Sequence, residues 1–167
     1  MPEASDVALK PRMKNPALLN PEAMRALQAL GLSAEQHGVP ARTIGLVQLR
    51  ASQINGCGVC LDMHSREMKQ ADETDERLFG VAAWREMPYF TAAERAALAL
   101  TEAATRWNDR ADPVPDDIWD EATRHYAEPA LGALVIAIAT INAWNRINAT
   151  TRQIAGSIPT SATAHRR

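Results

Sequence analysis

Residues 40–70 read PARTIGLVQLRASQINGCGVCLDMHSREMKQ, and this stretch decides the fold. Pro40 opens a helix from Ala41 to about Ile54, with Ile44, Val47, Ala51 and Ile54 supplying much of its apolar face. Asn55-Gly56 ends it with residues that tolerate a left-handed backbone. A further helix then starts at Cys57 and runs to about Gln70. Both cysteines of the chain sit at this junction with two residues between them, and His64 follows four residues after the second. On a helix, positions 57, 60 and 64 share one stripe.

Helix signals continue outward in both directions. Asn20-Pro21-Glu22 is a cap followed by proline at the first helical position, opening a helix to about Leu30. Thr74 or Asp75 caps a short helix carrying Leu78, Phe79, Val81, Ala82 and Trp84. Thr91-Ala92-Ala93-Glu94 is a capping box ahead of a long buried helix from Ala96 to Trp107. Asp112-Pro113-Val114-Pro115 is a break, Asp116 to Tyr126 is amphipathic, and Glu128 to about Thr150 is the most apolar helix. No run alternates apolar and polar residues over strand length. The expectation is an all-α, single-domain bundle of six or seven helices over residues 17–156. Residues 1–16 read as a polar, proline-broken arm, loose unless a partner subunit holds it, and 157–167 as a frayed tail.

The 167 residues are 46% hydrophobic and 23% charged, ordinary proportions for a globular chain. A formal charge of −2 gives no pull toward nucleic acid or an anionic membrane. The longest apolar run, Ala130 to Ile141, is too short to span a bilayer. The first residues show no apolar core behind a basic start, and two cysteines without a leader point to the cytoplasm. Ala97 to Ala104 and Ala130 to Ala139 are alanine-rich and allow close helix approach. With aromatic residues at 5%, a single subunit is expected to leave apolar faces uncovered, which predicts a homo-oligomer.

A CxxC pair can close to a disulfide and reopen, storing two electrons. The thiolate is the reactive form, and a free thiol with a pKa of ~8.5 is mostly protonated at neutral pH. Cys57 at a helix start is favoured as the anion by unpaired N–H groups, whereas Cys60 has His64 one turn away as base or ion-pair partner. The two effects compete over which sulfur attacks. A structural zinc site needs four ligands; Cys57, Cys60 and His64 are three, and His37, His125 and His165 lack motif-like spacing to complete it. Covalent haem attachment requires histidine directly after the second cysteine, where Leu61 stands. Two inert, buried cysteines remain an alternative. No metal and no cofactor are expected.

The run LVQLRASQINGC (46–57) with CLDMH (60–64) resembles the core of the AhpD-like alkylhydroperoxidase group, within the carboxymuconolactone decarboxylase superfamily. ERAALALTE (94–102) and INAWNRIN (141–148) agree, so the likeness runs from about Leu18 to Gly156. It implies an all-α, homo-oligomeric fold and a thiol-dependent peroxidase or disulfide reductase. By that resemblance Cys60 attacks the peroxide, Cys57 resolves it, and His64 relays the proton. A sulfenic acid on one sulfur condenses with the other thiol, and an external dithiol reduces the resulting disulfide.

Two departures follow from the same comparison. The family's relay glutamate, twelve residues before the first cysteine, is Gly45 here, and a second histidine between the cysteines is replaced by Val59. Gln48 lies nearby but cannot hold a proton as a carboxylate does. Glu102, a carboxylate in an apolar stretch, is the first substitute to consider, against a structural ion pair with Arg50 or Arg146. Asp62 and Glu67 read as solvated helix-surface carboxylates, and His37 and His125 as helix-end residues. Trp144, Asn142 and Asn145 are expected to pack behind the cysteine helix. Competing functions are a thiol–disulfide reductase acting on a protein, a redox sensor without turnover, and a muconolactone-type decarboxylase.

Overall fold

A computed structural model describes residues 9–107 and 109–157. These residues form eight α-helices: α1 (Pro16–Leu19), α2 (Pro21–Ala34), α3 (Ala41–Asn55), α4 (Gly58–Gln70), α5 (Asp75–Gly80), α6 (Ala92–Thr105), α7 (Asp116–His125) and α8 (Glu128–Thr150). A 3₁₀ segment, Val81–Glu86, extends α5 past a kink at Ala83. No strand occurs among the described residues. The count exceeds six or seven because one turn, Pro16–Leu19, forms where the proline-broken segment ends. Asn15 caps it, with proline at its first position. Arg12 N–H donates to the Thr151 carbonyl at 2.9 Å and Gln153 Nε2 to the Met13 carbonyl at 3.0 Å, so residues 12–15 are tied to the end of α8. Residues 1–8 of the expected arm and 158–167 of the expected tail lie outside the described residues.

α3 is the central element and packs on α4, α6 and α8; α2 covers α8, and α7 covers α6. One core cluster joins Val47 of α3, Ala97 and Leu100 of α6, and Leu134 and Ile138 of α8. A second lies beneath the 3₁₀ segment, with Leu46, Leu49, Met68, Trp84 and Leu98. Each fully buried leucine here contributes roughly 1.5–3 kcal/mol through removal from water. The third cluster holds both cysteines: Ala51, Cys57, Val59, Cys60 and Ile141, with Trp144 against it. Of the alanines expected to allow close approach, Ala97, Ala103, Ala130, Ala133 and Ala137 are buried, Ala99 and Ala104 are half-buried, and Ala139 is exposed.

At 23 residues and a mean hydropathy of 1.4 over its most apolar window, α8 is long and apolar enough to cross a membrane. The expectation of a stretch too short to span holds for 130–141 alone, not for the helix that contains it. Its apolar character serves the core here. Ala130, Leu131, Leu134, Ile138 and Ile141 are buried against neighbouring helices, and Asn142, Asn145 and Asn148 hydrogen-bond within the protein.

Candidate active site

The junction between α3 and α4 sets the site. Gly56 takes φ +65°, and the N–H groups of Gly56 and Cys57 close back on the carbonyls of Gln53 and Ser52 at 3.3 and 3.0 Å. The chain then leaves Cys57 extended as the N-cap of α4, one residue before the helix rather than in its first turn. Cys57 and Cys60 form a disulfide with their Cα atoms 5.4 Å apart. Both are 1% exposed. Asn55 holds the junction to α8, its Nδ2 donating to Asn142 Oδ1 and Asn145 Oδ1 at 2.9 Å each. Asn145 Nδ2 in turn reaches Ser52 Oγ at 3.0 Å. Asn142, Asn145 and Trp144 thus sit behind the cysteines as the sequence led us to expect.

His64, one turn beyond Cys60 on α4, is buried. Its Nδ1 lies 3.0 Å from Glu67 Oε2. An ionised carboxylate only accepts, so Nδ1 carries the proton in this pair and Nε2 is left as the basic nitrogen. Glu67 was read from the sequence as solvated; half of its side chain is exposed, yet its carboxylate faces the histidine. The spacing of three residues on one helix was the available signal.

A cavity of about 410 Å³ opens beside this pair, lined by Gly45 and Gln48 of α3 and by His64, Glu67 and Met68 of α4. Gln48 therefore shares a wall with His64. The space above Gly45 is taken by Met68: a Cβ built at position 45 would lie 3.0 Å from both Met68 Cγ and Sδ. The missing family glutamate and the methionine are two sides of one packing arrangement.

Glu102 stands elsewhere, in a hub of cations. Its Oε1 accepts from Arg50 Nε at 2.7 Å and Trp84 Nε1 at 3.1 Å, and its Oε2 from Arg85 Nη1 at 2.6 Å and Arg106 Nη1 at 3.2 Å. Burial would raise its pKa, but the hydrogen bonds from Arg85, Arg50 and Trp84 and the Arg50 charge outweigh burial and hold it at about 2. A carboxylate so fixed stays ionised at neutral pH and has no proton to pass. The ion-pair alternative fits, with Arg50, Arg85 and Arg106 rather than Arg146 as partners. Asp62 is bound as well, accepting from Arg66 Nε at 3.0 Å and from the Gly156 N–H at 2.8 Å.

Two further asparagines were not singled out from the sequence. Asn148 Nδ2 donates to Cys60 Sγ at 3.3 Å, and Asn15 Nδ2 donates to Asn148 Oδ1 at 2.8 Å. Asn142, Asn145 and Asn148 recur every three residues on an otherwise apolar helix, and that stripe was the legible hint. His37 and His125 line a different cavity with Tyr126, and His125 pairs with Glu121 at 3.0 Å; His165 lies outside the described residues. Among the described residues no three His, Cys, Asp or Glu side chains converge as a metal site.

The helical fold, the CxxC disulfide and its following histidine define a class that comparison with known proteins identifies. The carboxymuconolactone decarboxylase family model matches residues 21–103. The uncharacterized protein YdfG of Bacillus subtilis is 34% identical over 128 residues, 77% of this chain and 86% of that protein. The chain belongs to the carboxymuconolactone decarboxylase family. A solved Agrobacterium tumefaciens protein of unknown function, connected with antioxidant defence under the name AhpD, superposes with a TM-score of 0.81 at 34% identity. It covers 89% of this chain and 100% of that one. The debrominase Bmp8 shares the fold at a TM-score of 0.74 and 21% identity, over 83% of this chain and 74% of its own. The family includes enzymes, and the fold is AhpD-like.

Proposed function

We propose that this protein is a thiol-dependent peroxidase that reduces small alkyl hydroperoxides through a Cys57/Cys60 dithiol–disulfide cycle. The observation that carries the reading is the pairing of a buried CxxC disulfide with His64 one turn away, itself held at Nδ1 by Glu67. In the reduced state the Cys60 thiolate attacks the terminal peroxide oxygen. The O–O bond breaks, the alkoxide takes a proton from the His64 imidazolium and leaves as the alcohol, and Cys60 becomes a sulfenic acid. The Cys57 thiol then attacks that sulfur, the S–S bond forms, and water leaves. An external dithiol gives up two electrons and two protons to restore both thiols.

Glu67 takes the place in this scheme that Gly45 leaves vacant, orienting the imidazole and stabilising its charged form. Burial of both sulfurs at 1% exposure favours a small oxidant over a folded protein's disulfide, which ranks the protein-reductase reading second. A cytoplasmic setting, a homo-oligomeric state and a small or flexible dithiol donor complete the proposal. Peroxide consumption with a dithiol donor tests it. Turnover in the wild type, lost in both Cys57→Ser and Cys60→Ser, is the expected result; consumption unchanged in both variants overturns it.

A further inference from the structure

The Cys60 sulfur has a hydrogen-bond donor whose direction is set from outside the site. Asn15 caps α1, and its Oδ1 accepts the N–H of Ala17 at 2.9 Å. A backbone N–H only donates, so this bond settles which end of the Asn15 amide is oxygen. Its Nδ2 is thereby turned to Asn148 Oδ1, at 2.8 Å. With its oxygen occupied, Asn148 presents Nδ2 to Cys60 Sγ at 3.3 Å. Asn15, Asn148 and Cys60 are 7%, 4% and 1% exposed, so water does not compete for these bonds. Among the described residues no hydrogen bond reaches the Cys57 sulfur.

We infer that Asn148 is a further catalytic residue, the N–H donor that holds Cys60 as a thiolate, and that Asn15 is the positioning residue that keeps the donor end of that amide on the sulfur. The inference rests on the reading that the pair opens to a dithiol. A thiolate accepts a hydrogen bond strongly and a thiol weakly, so an N–H aimed at sulfur favours the charged form. Cys57 has the helix terminus but no such donor, and the competition between the two sulfurs resolves toward Cys60. The same bond acts on the return half of the cycle. When a thiolate of the external dithiol attacks Cys57 Sγ, the S–S bond breaks with its electron pair on Cys60, and a mixed disulfide forms on Cys57.

The test titrates one thiol at a time by its ultraviolet thiolate absorbance. In a Cys57→Ser background, Asn148→Ala raises the Cys60 pKa by about one unit, the scale of one hydrogen bond to a charged acceptor. Asn15→Asp is the sharper variant. It keeps an oxygen on the Ala17 N–H, and so the cap, but removes the donor. Its second oxygen draws Asn148 Nδ2 away and turns the amide oxygen to Cys60, raising that pKa by at least as much. In a Cys60→Ser background Asn148→Ala does not move Cys57, and Asn15→Asp, whose added charge acts on both sulfurs, moves Cys57 less than it moves Cys60. A merely structural role would lower stability and leave both titrations in place. An unmoved Cys60 pKa overturns the inference even if peroxide turnover is intact; should Asn148→Ala fail to fold, Asn15→Asp decides by its excess shift at Cys60 over Cys57, equal shifts overturning the inference. Shifted titrations in a wild-type chain without turnover would sink the peroxidase reading and leave this one standing.

Discussion

Glu67 Oε2 lies 3.0 Å from His64 Nδ1, so the buried histidine takes its carboxylate from its own helix, while α3 brings Gly45 and Gln48, and no carboxylate, to the facing wall. Replacing Glu67 by Gln keeps the shape and removes the charge. Losing one charge-assisted hydrogen bond lowers kcat/KM for a hydroperoxide about tenfold. His64→Ala removes the base itself and costs roughly 10²–10⁴-fold. Steady-state peroxide reduction measures both, and an unaltered rate in Glu67→Gln would remove that residue from the relay.

Restoring the family glutamate is not a single substitution. Gly45→Glu drives its Cβ to 3.0 Å from Met68 Cγ and Sδ, so the methionine has to move before the carboxylate can enter the cavity. Gly45→Glu alone is expected to be destabilised with no gain in rate. Gly45→Glu with Met68→Ala opens the space and raises peroxide turnover above that of Met68→Ala. Thermal melts and peroxide assays on the three variants check this; a faster Gly45→Glu single variant would contradict the packing account.

The Glu102 hub carries a pH dependence of known sign. Folded Glu102 is held at about 2, below the ordinary 4.5 of a free glutamate, so on acidification the unfolded chain takes the proton first. The stability that follows from the hub is expected to be whole above 4.5 and to drain away as pH falls from 4.5 through about 2. Glu102→Gln leaves Arg50, itself 9% exposed, short of its counter-charge and costs about 3 kcal/mol at neutral pH. The variant's stability should also flatten across that acid window. Denaturant melts at stepped pH values measure both effects; parallel acid profiles for wild type and variant would refute the assignment.

Exposed leucines on the first two helices are where self-association would be sought. Leu18 and Leu19 of α1 and Leu30 and Leu32 of α2 are 57%, 56%, 42% and 57% exposed, apolar area that a second copy of the chain would cover. Light scattering at micromolar concentration is expected to give a mass above that of one chain. Leu18→Glu with Leu32→Glu should reduce it. A monomer in the wild type ends the proposal.

The helices were legible where local chemistry decides them. Thr91 and Glu94 form the expected capping box, Thr74 caps α5, and Glu128–Thr150 begins and ends where its composition changes. Cys57, Cys60 and His64 were legible because a motif of short sequence separation survives any fold. What escaped was long-range or negative in character. Asn15 and Asn148 are 133 residues apart, and nothing local announces that a residue in a proline-broken segment orients an amide over a cysteine. Glu67 is an exposed helix-surface carboxylate, as its place on α4 suggests, and its pairing with His64 is what the sequence left unannounced. Glu102 drew attention for the right reason, a carboxylate in an apolar stretch, but three arginines rather than one neutralise it.

The central claim is a turning dithiol cycle, and thiol counting during peroxide turnover reaches it most directly. The reduced wild-type chain, given mild alkyl hydroperoxide, is predicted to lose two thiols per chain as Cys57 and Cys60 close. It should recover both with an added dithiol and repeat the cycle with one alcohol formed per disulfide. Retention of both thiols while peroxide is consumed, or consumption that survives Cys57→Ser and Cys60→Ser, would contradict the account.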